Sequence, residues 1–303
     1  MAIVAKTVAE VNPNLPGTIH SVAKEVEELG QAALAVQCDM RDEEAVEACV
    51  EKVVAAFGTV HILINNASAL WWQDITDTPM SKYDLITSIN VRGTFAMTQA
   101  CLPHMEENSF GRIVNMSPPI KLDPGAYAGM TAYNISKYGM TMCALGVAGE
   151  YGPDSPEDPG ITANTLWPAT VVESQASINF ELGDTSTWRK ASVLADATVA
   201  ICGEGDDFTG NMLIDDEYLR AKGLEAEHFL QYRCDPETEP LRLLADGQTE
   251  GEWLASGAAA ELRAAGSGGG GFHGSIKRGD VKKLGDDIST TENPAFKSKP
   301  AKL

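Results

Sequence analysis

The stretch His61-Ile62-Leu63-Ile64-Asn65-Asn66-Ala67 decides how the rest of the chain is read. A short apolar run that ends abruptly in two carboxamides is the pattern of a buried strand whose carboxyl end opens onto something polar. The flanking sequence repeats the alternation. Upstream, Ile3-Val4-Ala5 reads as a strand. Thr18 caps a helix with Ile19, Val22, Ala23, Val26 and Leu29 on one face, ended by Gly30. A strand over 33–36 follows, then a helix capped by Asp42 that carries Ala45, Val46, Cys49, Val53 and Phe57 and closes at Gly58. Downstream come a long helix over 82–106, a strand over 112–116, a long helix over 131–151 and a Pro/Asp/Ser-rich loop over 152–160. A strand over 161–166, a weakly periodic segment over 171–183, a helix over 187–202 and a last strand over 210–214 complete the pattern. Strands alternating with helices predict an α/β domain over residues 1–235, a doubly wound parallel sheet covered on both faces.

Beyond 235 the alternation fades. Residues 236–265 form a C-terminal extension with an Ala-rich helical stretch over 252–265. Residues 266–303 open with a glycine-rich linker and continue as a polar tail, expected to be disordered because it has too little apolar surface to fold.

The charge balance narrows the partners. The chain carries a net charge of −20; residues 266–303 hold seven Lys/Arg against four Asp/Glu, leaving 16 against 39 in the rest. A body that acidic does not attract nucleic acid or an anionic membrane. No apolar run reaches the ~20 residues of a membrane span. The six cysteines show no paired spacing and sit among apolar residues, the pattern of buried thiols in a reducing compartment. The five histidines lack metal-ligand spacing, so no metal is expected.

Tyr133-Asn134-Ile135-Ser136-Lys137 carries the chemistry. Residues four apart share a helix face. An ammonium there draws a phenol's pKa down from about 10, toward the range where it exchanges a proton with a carbonyl or alcohol oxygen. Such a pair also recurs by chance, so its context matters. Asn65-Asn66-Ala67 leaves one strand at its carboxyl end, where open α/β sheets place ligands. Asn90 lies in the next long helix, Asn115-Met116-Ser117 ends the following strand, and Tyr133 comes 16 residues later.

In that order and spacing the sequence resembles the short-chain dehydrogenase/reductase family. Further stretches, among them Leu15-Pro16-Gly17-Thr18-Ile19, Lys137-Tyr138-Gly139-Met140 and Asn164-Thr165-Leu166-Trp167-Pro168, are similar to one branch of it, over about residues 2–235. The resemblance implies a Rossmann-like fold and an oxidoreductase that interconverts a carbonyl and an alcohol on a small or lipid-derived substrate. Tyr133 is then the general acid/base. Lys137 lowers its pKa and holds the nicotinamide ribose, Asn90 supports a proton relay, and Ser117 is the hydroxyl left to polarise the carbonyl. Asn66, Ala67 and Pro168 line the cofactor groove, and Asp39 meets the adenine. Lys6, at the end of a strand where a cation favours a 2′-phosphate, turns the implied cofactor to NADP(H). The same resemblance implies a homo-oligomer built on the helices over 82–106 and 131–151.

Three departures accompany it. The family's first strand and its Thr-Gly-x-x-x-Gly-x-Gly loop do not occur in the sequence, so the sheet is expected without that strand. Pro118 stands where the family usually has its catalytic serine. The branch carries a sterol-carrier domain after the reductase domain, which the residues after 235 are too few and too glycine-rich to supply. Two readings follow: an active reductase, or a non-catalytic relative that keeps the fold for assembly. Trp71 and Trp72 either wall a substrate pocket or pack on the core. Ala301-Lys302-Leu303 resembles the Ser-Lys-Leu address read by the peroxisomal import receptor. The expected location is therefore the peroxisome, with the cytoplasm or mitochondrion as the alternative.

Overall fold

The computed structural model describes residues 1–10, 16–121, 124–153 and 160–243. The helical stretch over 252–265, the glycine-rich linker and the Ala301-Lys302-Leu303 tripeptide lie outside the described residues. The elements run β1 (Ala2–Ala5), α1 (Ile19–Glu28), β2 (Leu34–Gln37), α2 (Glu43–Phe57), β3 (Ile62–Asn65), α3 (Met80–Thr87), α4 (Thr94–Glu107), β4 (Gly111–Asn115), α5 (Thr131–Tyr151), β5 (Ile161–Trp167), α6 (Gln175–Asn179), α7 (Ser192–Cys202), β6 (Met212–Ile214) and α8 (Asp215–Ala221). The capping residues act as the sequence predicts. Thr18 Oγ1 accepts from the Ser21 amide at 3.1 Å while Ser21 Oγ accepts from the Thr18 amide at 2.8 Å, and Asp42 Oδ1 accepts from the Ala45 amide at 3.4 Å.

Every strand pairing is parallel, but the strands form two sheets. β1 pairs with β2, and β3-β4-β5-β6 form a separate four-stranded sheet. Among the described residues no strand joins the outer edges of β1 and β3. The two sheets nevertheless share one core, in which Val36 and Val4 pack with Leu63, Ile113, Met97 and Val46.

The same split changes β3. The apolar run was expected to be buried on both faces; instead Leu63 and Asn65 are buried while Ile62 and Ile64 are 48% and 37% exposed. α4 packs on the Leu63 face, and among the described residues no other helix packs comparably on β3.

The helix expected over 82–106 is three pieces. A π-helical turn, Ser88–Gly93, separates α3 from α4 and buries Asn90. Such wide turns occur mostly where a helix must re-aim its side chains. Two glycines allow it to sit where it does. A Cβ on Gly139 of α5 would fall 2.7 Å from Val91 Cγ2, and one on Gly93 would lie 3.0 Å from Met40 Cβ. The turn is thus wedged between α5 and the loop after β2. The helix expected over 187–202 starts later, at Ser192. Arg189 is drawn out of it, because its backbone accepts from Glu173 at 2.7 Å and donates to Val171 at 3.0 Å.

Candidate active site

The carboxyl ends of β3, β4 and β5 are in register, with Asn65 opposite Asn115 and Asn115 opposite Thr165. Asn65 Nδ2 donates to Asn115 Oδ1 at 2.8 Å and to Thr98 Oγ1 at 3.3 Å. Asn115 Nδ2 donates to the Met140 carbonyl at 2.9 Å. This buried carboxamide chain fixes α5 against the sheet at the turn that follows Lys137. Asn66 is exposed and Ala67 half-buried just past the strand end, open toward the side where a parallel sheet receives its ligand.

Tyr133 and Lys137 are both buried on the face of α5 turned to that end. Lys137 Nζ donates to the Met116 carbonyl at 2.9 Å and lies 5.9 Å from the Tyr133 ring centroid and 5.6 Å from that of Trp167. Burial governs both ionisations: it pushes the Tyr133 phenol up and pulls the Lys137 ammonium down to about 7. The site therefore holds tyrosine as the neutral phenol, the form that donates a proton, beside a lysine able to change charge near neutrality.

Asn90 lies next to this pair, with its amide fully committed. Oδ1 accepts from the Ala69 amide at 2.8 Å, and Nδ2 donates to the Ala69 carbonyl at 3.0 Å and to Ser136 Oγ at 2.9 Å. Ser136 Oγ donates in turn to the Tyr133 carbonyl at 2.7 Å. Asn90 thus ties the loop after β3 to the helix that carries the phenol.

Ser117 is fully buried, and its hydroxyl is hydrogen-bonded with Thr141 Oγ1 at 2.9 Å; Thr141 Oγ1 lies 2.8 Å from the Pro118 carbonyl, which accepts its proton. Thr141 lies eight residues beyond Tyr133, about 12 Å along the helix axis at ~1.5 Å per residue. The Ser117 hydroxyl is therefore directed to the far turn of α5.

A second group forms where β1 and β2 end. Lys6 Nζ lies 3.9 Å from Asp39 Oδ2, and Arg41 grips the same carboxylate through Nε at 2.9 Å and Nη2 at 2.5 Å. The Arg41 hydrogen bond holds the Asp39 carboxyl below the usual carboxylate range. Arg41 was not singled out from the sequence, although Asp39-Met40-Arg41 places a cation two residues past the acid in a tight turn, which is the signal that could have found it. The group is linked to the π-turn, since Arg92 donates to the Arg41 carbonyl at 2.8 Å. Pro168 is half-buried at the end of β5, where the next residue, Ala169, donates its amide to Asp215 Oδ1 at 2.9 Å.

Trp71 and Trp72 are both buried, in different surroundings. Trp71 packs with Ile86 and Ala132 under the Lys82 ammonium, 4.8 Å from its ring. Trp72 meets Tyr133 edge to face, with ring centroids 5.8 Å apart.

The fold and this constellation define a class that the comparisons also identify. The short chain dehydrogenase family model matches residues 5–181, and the chain belongs to that family. Hydroxysteroid dehydrogenase-like protein 2 of Xenopus laevis is 42% identical over 224 residues, which are 74% of this chain and 52% of the relative. The chain therefore spans about half the length of the curated relatives it matches. Among solved structures, a short chain dehydrogenase of Mycobacterium thermoresistibile is 39% identical with a TM-score of 0.71, covering 79% of this chain and 83% of that one. A metagenomic short-chain oxidoreductase in complex with NADP is 20% identical with a TM-score of 0.52, over 69% of this chain and 80% of that one; it shares the fold.

Proposed function

We propose that the chain is an NADP(H)-dependent oxidoreductase that interconverts a carbonyl and an alcohol on a small or lipid-derived substrate, with Tyr133 as general acid/base and Lys137 beside it. The observation that carries this reading is the burial of both side chains on one face of α5, at the carboxyl ends of β3, β4 and β5. A dihydronicotinamide, when bound, supplies the hydride. Tyr133 supplies the proton to the carbonyl oxygen, and its raised pKa keeps that proton in place until charge develops on the oxygen. Lys137, held by the Met116 carbonyl and near Met140 Sδ, has a donor left for a ribose hydroxyl; burial raises the Tyr133 pKa, against the lowering that the resemblance implies. Asn90 acts by fixing the Tyr133 turn of the helix.

The residues at the end of β1 and β2 fit a 2′-phosphorylated cofactor. Lys6 and Arg41 both lie against Asp39, and two cations at the ends of these strands suit a phosphate monoester. A second reading is a non-catalytic relative that keeps the fold for assembly.

Self-association belongs to the proposal as well. A groove of about 860 Å³ on α3, α4 and α5 is lined by Val91, Phe95, Ile135, Tyr138 and Met142, of which Phe95 and Met142 are 58% and 60% exposed. An apolar patch of this kind is suited to a second copy of the chain.

Fluorescence titration with NADPH and NADH separates the readings. The first expects NADPH to bind at least about tenfold tighter, with Lys6→Glu removing that preference. Absence of binding by either nucleotide supports the non-catalytic relative.

A further inference from the structure

Tyr133 is enclosed by an apolar collar drawn from four parts of the chain. Trp72 comes from the loop after β3, Met130 from the start of α5, Phe180 and Leu182 from the turn after α6, and Trp188 from the segment before α7. Together with Tyr133 they form one buried cluster. The collar is held in place by its own hydrogen bonds. Trp188 Nε1 donates to the Leu182 carbonyl at 3.2 Å, and the Leu182 amide donates to the Ser177 carbonyl at 3.1 Å. Glu181, between the two collar residues after α6, has φ of +47°, a conformation that L residues rarely adopt. Chain strain of this kind persists where the surrounding packing holds it, and here it turns Phe180 and Leu182 inward. Tyr133 thus belongs to an apolar cluster that includes a benzyl and an isobutyl group.

Desolvation alone displaces the Tyr133 and Lys137 ionisations, with no charged neighbour contributing. A carboxylate or phosphate adjoining a substrate carbonyl would lose its water there, beside a Lys137 already bonded to the Met116 carbonyl.

We propose that the site selects an uncharged carbonyl carried on an apolar chain or ring, and that Trp72, edge-on to Tyr133, is the side chain that sets this preference. The proposal rests on Tyr133 being the proton donor. The groups that now occupy the collar stand in for the apolar part of the substrate, and a substrate enters by displacing the turn that bears them.

The test compares NADPH oxidation with butanal, hexanal, octanal and 2-oxooctanoate. kcat/KM should rise about fourfold per methylene from butanal to octanal, and 2-oxooctanoate should fall at least about 100-fold below octanal. Trp72→Ala should flatten the chain-length dependence, and Trp72→Phe should restore it. Equal turnover of 2-oxooctanoate and octanal overturns the proposal, as does an unchanged chain-length dependence in Trp72→Ala. A binding arm separates this from failure of the catalytic reading. If no aldehyde is reduced, quenching of tryptophan fluorescence by octan-1-ol at concentrations where octanoate has no effect still supports the collar. Equal quenching by both, or by neither, contradicts it.

Discussion

Asn90 Nδ2 donates to Ser136 Oγ at 2.9 Å, and this bond joins the wide turn between α3 and α4 to the helix that carries Tyr133 and Lys137. With its two further bonds to Ala69, the Asn90 side chain holds three elements together without solvent. Asn90→Ala leaves the Ala69 amide and carbonyl unpaired in the interior. The expected cost is about 3 kcal/mol of unfolding free energy, from three lost bonds at ~1 kcal/mol each plus unmet burial. Urea denaturation measures it; a loss under ~1 kcal/mol would deny the asparagine its tying role.

Gly139 faces Val91 so closely that a Cβ would overlap both valine methyls, at 2.7 and 2.9 Å. Gly139→Ala is expected to cost about 1–3 kcal/mol through overpacking. Val91→Ala in the same chain should recover most of it. The coupling energy from the double-mutant cycle is the readout, and additive effects would exclude the contact.

Arg242 reaches back from the end of the described chain to Asp216, which also accepts from Arg189 at 3.1 Å, and its other nitrogen donates to Glu217 at 2.7 Å. Its neighbour Leu243 donates its amide to the Ala169 carbonyl at 2.7 Å, beside Pro168. The ion pairs therefore fasten the turn at the end of β5. Arg242→Met leaves buried Asp216 with Arg189 and Arg220 and should cost up to about 3 kcal/mol. Hydrogen exchange at Ala169 and Val171 should quicken with it, while exchange in β4 follows only global stability.

The buried Lys137 makes stability depend on pH with a defined sign. Its proton leaves near pH 7 in the folded protein and near 10.5 in the unfolded chain. Between those values the unfolded chain binds more protons, so stability rises with pH across that window and the gain is lost as pH falls through about 7. Lys137→Met removes this component. The wild type should gain on the variant in chemical denaturation between about pH 7 and pH 9.5, below the titration of Tyr133. A constant difference would show that Lys137 is not desolvated.

The legible part of the fold was its local chemistry. Asn65 and Asn66 at a strand end, Thr18 and Asp42 as caps, and Tyr133 four residues from Lys137 were all readable, because each signal is contained within a few residues. Other features depend on partners far away in sequence. Arg242 meets Asp216 across 26 residues, and Arg189 leaves the expected helix to pair with Val171. Ile62 and Ile64 carry an unbroken apolar pattern that says nothing about whether a neighbour is present to cover them. The π-turn at Ser88–Gly93 was hidden for a related reason: its cause is the contact of Val91 with Gly139, and the local sequence reads as continuous helix.

The most direct test of the account is NADPH oxidation in the presence of octanal by the wild type and by Tyr133→Phe, with NADPH binding measured on both. Removing the hydroxyl proposed as the proton donor should lower kcat by at least about 100-fold, while NADPH affinity and the unfolding midpoint stay close to wild type. Turnover that survives the substitution unchanged would contradict the assignment of Tyr133 as the proton donor.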